Sequence, residues 1–337
     1  MMLARPLLLF FALCLSGSAL AGAAVWHWPG LPPGAPTPVI PADNPMTEAK
    51  VELGRQLFYD RRLSRDGTMS CAACHDQQKG FTNGARIQFG VTGEPGIRNV
   101  QGLANVAWRS PLTWADPRVK TLEEQALVPL TGSHPIEMGA DPDIVVKRLA
   151  ADACYRRMFA RAFPASGGGV AIADAVAAIA AFERTIISAS SPYDRYRAGD
   201  AAALTADARR GAAQFASACA FCHAGPDLTD DKLHYVGTAA TAGISYGSGP
   251  PPADDAEHFR TPPLRNVAVT GPWLHDGTAR SIEEAIRRHA AAQLAGVEMP
   301  ALLAFLDAQT DAAFLHDPRL SDPASGCAVR KTIAATR

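Results

Sequence analysis

The sequence lacks an excess of charge of either sign. Lys and Arg number 32 against 33 Asp and Glu, a formal net charge of -1. That excludes the broad basic footprint by which proteins hold nucleic acid. Runs of β-branched residues are few and Ala is frequent, so the chain leans towards helix. Beyond the N-terminus no segment is apolar enough to cross a bilayer. Cysteine is scarce, 7 in 337 residues. The pattern around those cysteines contains no visible βαβ unit, which argues against a thioredoxin-like redox pair. The length suffices for two ordinary domains.

What is present begins with a leader. Arg5 precedes the apolar run PLLLFFALCL, which small residues follow in SGSALAGAA. Ala19 and Ala21 fit an A-x-A cleavage site, so residues 1–21 are expected to be a signal peptide and the mature chain periplasmic. An uncleaved anchor is the alternative, although the run is short for a span and no stable membrane insertion is expected. Residues 22–46 are rich in proline and are expected to lie extended on the surface. The stretch GSGPPPADDAEHF, 247–259, reads as a flexible loop. The tail, 321–337, is expected to fray.

Two pentapeptides carry the chemistry. CAACH runs from Cys71 to His75, and CAFCH from Cys219 to His223. C-x-x-C-H is the attachment signal for c-type haem. The spacing brings both sulfurs to the two vinyl groups of one porphyrin and sets the adjacent histidine under the iron. Cys71, Cys74, Cys219 and Cys222 are thus the covalent anchors, and His75 and His223 the axial ligands. A zinc site would need both pairs to converge and would leave the histidines over. Two haem c groups are therefore the expected cofactors. Cys14 leaves with the leader. Cys154 and Cys327 remain, either as a disulfide, which an oxidising compartment permits, or as two buried thiols.

What precedes each pentapeptide repeats. TEAKVELGRQLF and TADARRGAAQF both begin with a plausible N-cap, Thr47 and Thr205. Gly54 and Phe58 are four residues apart, as are Gly211 and Phe215. Glycine inside a helix costs about 1 kcal/mol relative to Ala, and close helix–helix approach is the reason expected here. Each half also ends in a candidate closing helix, VAIADAVAAIAAFERTI and MPALLAFLDAQ. The expected fold is all-α, mostly helical and loop-rich. It comprises two tandem cytochrome c-like domains, 47–195 and 196–320, joined near SPYDRYRAGD.

The segments LGRQLFYDRRLSRDGTMSCAACH, TLEEQALVPLTGSHPIEMG, SPYDRYRAGD and FRTPPLRNVAVTGPWLHDGTARSIEEAI together resemble the bacterial dihaem cytochrome c peroxidase and MauG superfamily. WHWPGLPPG and LTWADP look most like its methanobactin-associated, MbnH-like branch. The resemblance implies an oxidoreductase acting on hydrogen peroxide at the N-terminal haem. It places a distal glutamate at Glu137, although a loop cap or a partner of an arginine would also explain that residue. Many peroxidases of the family carry a histidine ligand where this chain has Val91. Valine cannot ligate iron, so the first haem is expected to be five-coordinate. A tryptophan between the haems falls at Trp114 counting forward from Arg98-Asn99. Counting back from Arg118 gives Ala115, which carries no hole. Trp108 and Trp114 could equally be core aromatics. Calcium is implied at the Asn99 side chain and the carbonyls of Thr270 and Pro272, all oxygen donors. His275 matches a structural histidine near the second haem.

The sixth ligand of the second haem separates the subfamilies. Aligning RSIEEAIRRH puts His289 there, whereas the bland reading of that residue is an exposed helix histidine. Met299 competes, but EMPALLAF suggests that it opens the last helix. Met/His ligation raises a haem potential and makes an electron store. Two imidazoles instead suit a partner that shares oxidising equivalents with the first haem. On that basis the substrate is a periplasmic protein, with tryptophan converted to kynurenine on a small copper-binding, MbnP-like partner. The alternatives are a peroxidase drawing electrons from a small cytochrome or cupredoxin, and an electron carrier with two closed haems. Val91 and Glu137 speak against the last.

Overall fold

The computed structural model describes residues 26–28, 30–110, 112–235, 258–289, 294–323 and 327, with His289 described in its backbone only. The expected leader, 1–21, lies outside the described residues, as does most of the loop expected at 247–259. The last two residues of that loop, His258 and Phe259, instead enter a strand.

The described chain is largely helical. The helices are α1 (Glu48–Phe58), α2 (Cys71–Cys74), α3 (Leu122–Thr131), α4 (Pro142–Ala151), α5 (Ala153–Ala162), α6 (Ile172–Glu183), α7 (Pro192–Arg197), α8 (Ala206–Ala218), α9 (Ile282–His289), α10 (Met299–Asp307) and α11 (Ala312–Leu315). Two short strands, β1 (Leu233–Tyr235) and β2 (His258–Arg260), pair antiparallel with His234 opposite Phe259. No helix among the described residues is long and apolar enough to cross a membrane.

Two helix crossings are built alike. Thr47 caps α1 by accepting from the Lys50 N–H, and Thr205 caps α8 by accepting from the Ala208 N–H. α1 packs on α6, and α8 packs on α10. A Cβ at Gly54 would stand 1.8 Å from the Ala178 carbonyl oxygen, and one at Gly211 would stand 1.9 Å from that of Ala301. Each glycine is thus where one helix backbone touches the other. Beside each crossing an aromatic pair closes the gap. Phe58 and Phe182 lie 5.3 Å apart and Phe215 and Phe305 4.9 Å apart between ring centroids.

The stretch expected as a join forms α7, with a capping box in which Ser191 and Asp194 bond each other's backbone N–H. Asp194 is buried and takes two bonds from Arg265, at 2.7 and 2.9 Å. Arg265 also reaches Asp227 at 2.6 Å. A buried cation is tolerable only when paired in this way. The Trp108 indole N–H donates to the Pro36 carbonyl at 2.7 Å and holds the proline-rich segment down.

Of the tail expected to fray, 321–337, only residues 321–323 and 327 lie among the described residues. After α10 the chain returns to the first core, where Phe314, Leu315, Leu320 and Cys327 are buried. Arg55 donates to the Ser321 carbonyl at 2.6 Å, and Cys327 is disulfide-bonded to Cys154. Both points hold a segment that composition alone marks as loose. Met299 opens α10, although one further helical turn, α11, follows it.

Candidate active site

α2 delivers Cys71 and Cys74 one helical turn apart, and His75 follows at its C-cap. The His75 Nδ1 lies 2.8 Å from the Phe81 carbonyl oxygen. At the second pentapeptide the His223 Nδ1 lies 3.0 Å from the Leu228 carbonyl oxygen. A carbonyl can only accept, so Nδ1 bears the proton in both rings and Nε2 carries the lone pair. Phe81 and Leu228 both have positive φ, 62 and 55, which turns those carbonyls back towards the rings. Phe58 and Phe215 flank the two imidazoles at 6.4 Å each. Burial lowers the His75 pKa, opposed by its backbone hydrogen bonds. Burial pushes the Cys74 thiol up to about 12, with the charge of Glu137 adding to it, and raises Cys71, Cys219 and Cys222 as well.

A cavity of about 510 Å³ opens beside the first pentapeptide. Cys74, His75, Met69, Leu103, Val106 and Leu112 line it, and so does Glu137. The size and the mostly apolar lining suit a bound cofactor. Two neutral thiols, an imidazole with its lone pair on Nε2 and this cavity together fit a haem c held by Cys71, Cys74 and His75. Cys219, Cys222 and His223 offer the same donor set in the second half.

Burial raises the Glu137 pKa. Among the described residues its carboxyl group pairs with no arginine or lysine. Val91 stands beside it, with its N–H donating to the Glu137 carbonyl at 2.8 Å. Trp114 lines the same cavity. Its indole N–H donates to the Asn99 carbonyl at 2.7 Å, and its own carbonyl accepts from the Arg260 N–H at 2.8 Å. Trp114 therefore ties the first half to β2.

Asn99 and the 270–275 loop are brought together, since the Asn99 N–H donates to the His275 carbonyl at 2.8 Å. The Asn99 amide nitrogen is engaged by the Ala85 carbonyl at 3.0 Å. No group of three His, Cys, Asp or Glu side chains that could hold a metal occurs among the described residues. The oxygens expected for calcium are an amide and two carbonyls, which are not of that kind. His275 is buried and stacks on Phe259 at 3.7 Å, with Arg98 3.1 Å from its Nδ1. Burial and then Arg98 lower its pKa to about 4, so it is a neutral structural acceptor. α9 ends at His289, whose side chain lies outside the described residues. The competing Met299 packs against the second apolar cluster.

Two residues that sequence reasoning missed also line the cavity, Gln125 and His134. For Gln125 a signal existed. Gln125, Val128 and Thr131 recur at three-residue intervals on α3 and all face the cavity. His134 lies in the connection after α3, where no periodicity marks it.

Comparison with known proteins agrees with this arrangement. The profile of the family described as di-haem cytochrome c peroxidase matches residues 48–202. The methylamine utilization protein MauG of Methylorubrum extorquens is 40% identical over 247 residues, covering 72% of this chain and 69% of that protein. Cytochrome c551 peroxidase of Pseudomonas aeruginosa is 33% identical over 294 residues, 83% of each chain. The crystal structure of a MauG-like protein associated with microbial copper homeostasis superposes with a TM-score of 0.80 at 38% identity. It covers 89% of this chain and 100% of that one.

Proposed function

Because the chain belongs to the di-haem cytochrome c peroxidase and MauG family, we propose that it uses hydrogen peroxide to oxidise a protein substrate in the periplasm. It is an oxidoreductase by that membership. In this reading residues 1–21 are a cleaved leader, and 47–195 and 196–320 carry one haem c each. The observation that carries it is Glu137: a half-buried carboxyl of raised pKa, lining one cavity with Cys74 and His75, beside a valine where other peroxidases place a ligand.

When bound, haem iron supplies the coordination site for peroxide and holds the oxidising equivalents. Glu137 would take a proton from one peroxide oxygen and return it to the other, the acid–base work that O–O cleavage with release of water requires. A carboxyl whose pKa is raised by burial is suited to both transfers. Trp114 passes electrons between the sites. Asn99 with the carbonyls of Thr270 and Pro272 would hold a calcium ion at that seam. His289 would be the second protein ligand of the second haem.

The substrate proposed is a tryptophan of a small copper-binding partner. The solved relative associated with microbial copper homeostasis supports that choice. The balance is two peroxides per tryptophan, giving N-formylkynurenine and two waters, then hydrolytic loss of formate to kynurenine. The test is one preparation read in two ways. Electron paramagnetic resonance of the ferric protein is expected to show one high-spin haem and one low-spin bis-imidazole haem. Peroxide with a small copper-binding periplasmic protein as partner is expected to change that protein's mass at a tryptophan. An unaltered partner, with rapid peroxide turnover from a small cytochrome or cupredoxin, makes the chain a peroxidase like its Pseudomonas aeruginosa relative.

A further inference from the structure

The loop that carries Val91 is bound to the Glu137 segment at more points than a passing contact needs. The Ile136 N–H donates to the Glu94 carboxylate at 3.1 Å. One residue on, the Glu137 carbonyl accepts from the Val91 N–H at 2.8 Å. A Cβ at Gly90 would stand 1.8 Å from the Ile136 carbonyl oxygen, so the two backbones touch there. The loop is itself closed, by Gly90 N–H to Glu94 carbonyl at 2.9 Å and Gly96 N–H to Gln88 carbonyl at 2.7 Å. Phe89 and Pro95 form a β-bridge across it. On the far side the Met138 carbonyl accepts from the Arg65 N–H at 2.9 Å, and the Met138 N–H donates to Pro129 at 2.9 Å.

We propose that Glu94 is the positioning residue for Glu137, the side-chain anchor of a clamp made from the loop that in other peroxidases ligates iron. This rests on the reading of Glu137 as the proton carrier. The physical reason is that Glu137 sits in a connection between α3 and α4, with no helix to aim its side chain. Its direction is set by the peptide units on either side of it. Of the bonds that fix those units, only that of Ile136 depends on a side chain. A shift of about 1 Å in a catalytic group can cost up to about a hundredfold in rate, so a single anchoring bond has leverage.

The experiment uses the protein carrying both haems and compares E94A, E94Q, G90A and E137Q. Two readings are taken on the ferric protein: fluoride affinity of the five-coordinate haem, which reports a hydrogen-bond donor beside the iron, and the stopped-flow rate of reaction with peroxide. E94A is expected to weaken fluoride and slow peroxide about tenfold. E94Q is expected to stay within about twofold of wild type, because its amide oxygen still accepts from Ile136. G90A, which pushes on the Ile136 carbonyl, should resemble E94A while leaving the low-spin haem spectrum unchanged. E137Q separates the two ideas. If it reacts as fast as wild type, the role of Glu137 itself fails. If E137Q is slow but E94A is not, or if E94Q is as impaired as E94A, the positioning inference is overturned. Should E94A fail to fold, E94Q and G90A decide the matter alone.

Discussion

Glu183 is an acid in an apolar place. It is 5% exposed at the end of α6, and its Oε2 is buried with no hydrogen-bond partner among the described residues. Burial raises its pKa to about 8, against the opposing charge of Arg184 and with that of Glu123 adding to the rise. Arg184 is already spent on Glu123, with two bonds at 2.8 Å, which explains why it rescues Glu183 so little. The folded-state pKa lies above the unfolded value of about 4.3. The folded chain therefore holds a proton that the unfolded chain releases, and stability falls as pH rises from that value to about 8. The slope is roughly 1.4 kcal/mol per pH unit at most. Glu183→Gln keeps the neutral shape, so it should match wild type near pH 5 and exceed it near pH 8 in thermal unfolding. Parallel curves for the two proteins across that range would remove the account. Nothing in AAIAAFERTI announces a sealed acid, because a carboxylate at a helix end is ordinarily solvated. The burial comes from α1 and α3 packing on α6, which a local pattern does not encode.

At the level of elements, the paired glycines were the legible part. Gly54 and Gly211, each four residues before a phenylalanine, announced a close crossing, and the caps at Thr47 and Thr205 announced where each helix starts. These are local signals, with the residue and its cause in one stretch of chain. The carbonyls that orient His75 and His223 were not legible, since Phe81 and Leu228 have positive φ without being glycine. The bond from Ile136 to Glu94 spans 42 residues, and spacing cannot reveal a partner at that distance. The glycine crossing also sets two effects in opposition. Gly211→Ala gains up to about 1 kcal/mol of helix propensity. It also places a methyl group 1.9 Å from a carbonyl oxygen of α10, and overpacking of this kind costs roughly 1–3 kcal/mol or more. Packing wins, so G211A should melt several degrees below wild type in calorimetry. A higher melting temperature would mean that the crossing relaxes at little cost.

Across the whole molecule, the C-terminal stretch works as a strap over the CAACH segment, Cys71 to His75. It pivots at Asp311, whose carboxylate accepts from the Ala189 and Ser190 N–H groups at 3.0 and 2.9 Å. Phe314 then packs on Phe81, the residue whose carbonyl orients His75, at 5.6 Å. Gln77 donates to the Phe314 and Asp317 carbonyls, both at 3.0 Å, and the Tyr59 hydroxyl donates to that of Leu320 at 2.7 Å. Ser321 and Asp322 complete a second cavity, about 330 Å³, lined also by His75, Asp76 and Gln77. The strap ends in the disulfide from Cys154 to Cys327, which spans 173 residues. A cross-link over so long a loop removes much of the unfolded chain's freedom, and losing a native one costs about 2–5 kcal/mol. Serine at both cysteines should therefore lower the unfolding temperature, and the loss should not be uniform. Hydrogen exchange should quicken along Ala312–Pro323 and at Gln77–Gly80, where the strap bonds, while α8 and α10 keep their protection. Equal melting temperatures with unchanged exchange at Gln77 would mean that the hydrogen bonds hold the strap without its anchor.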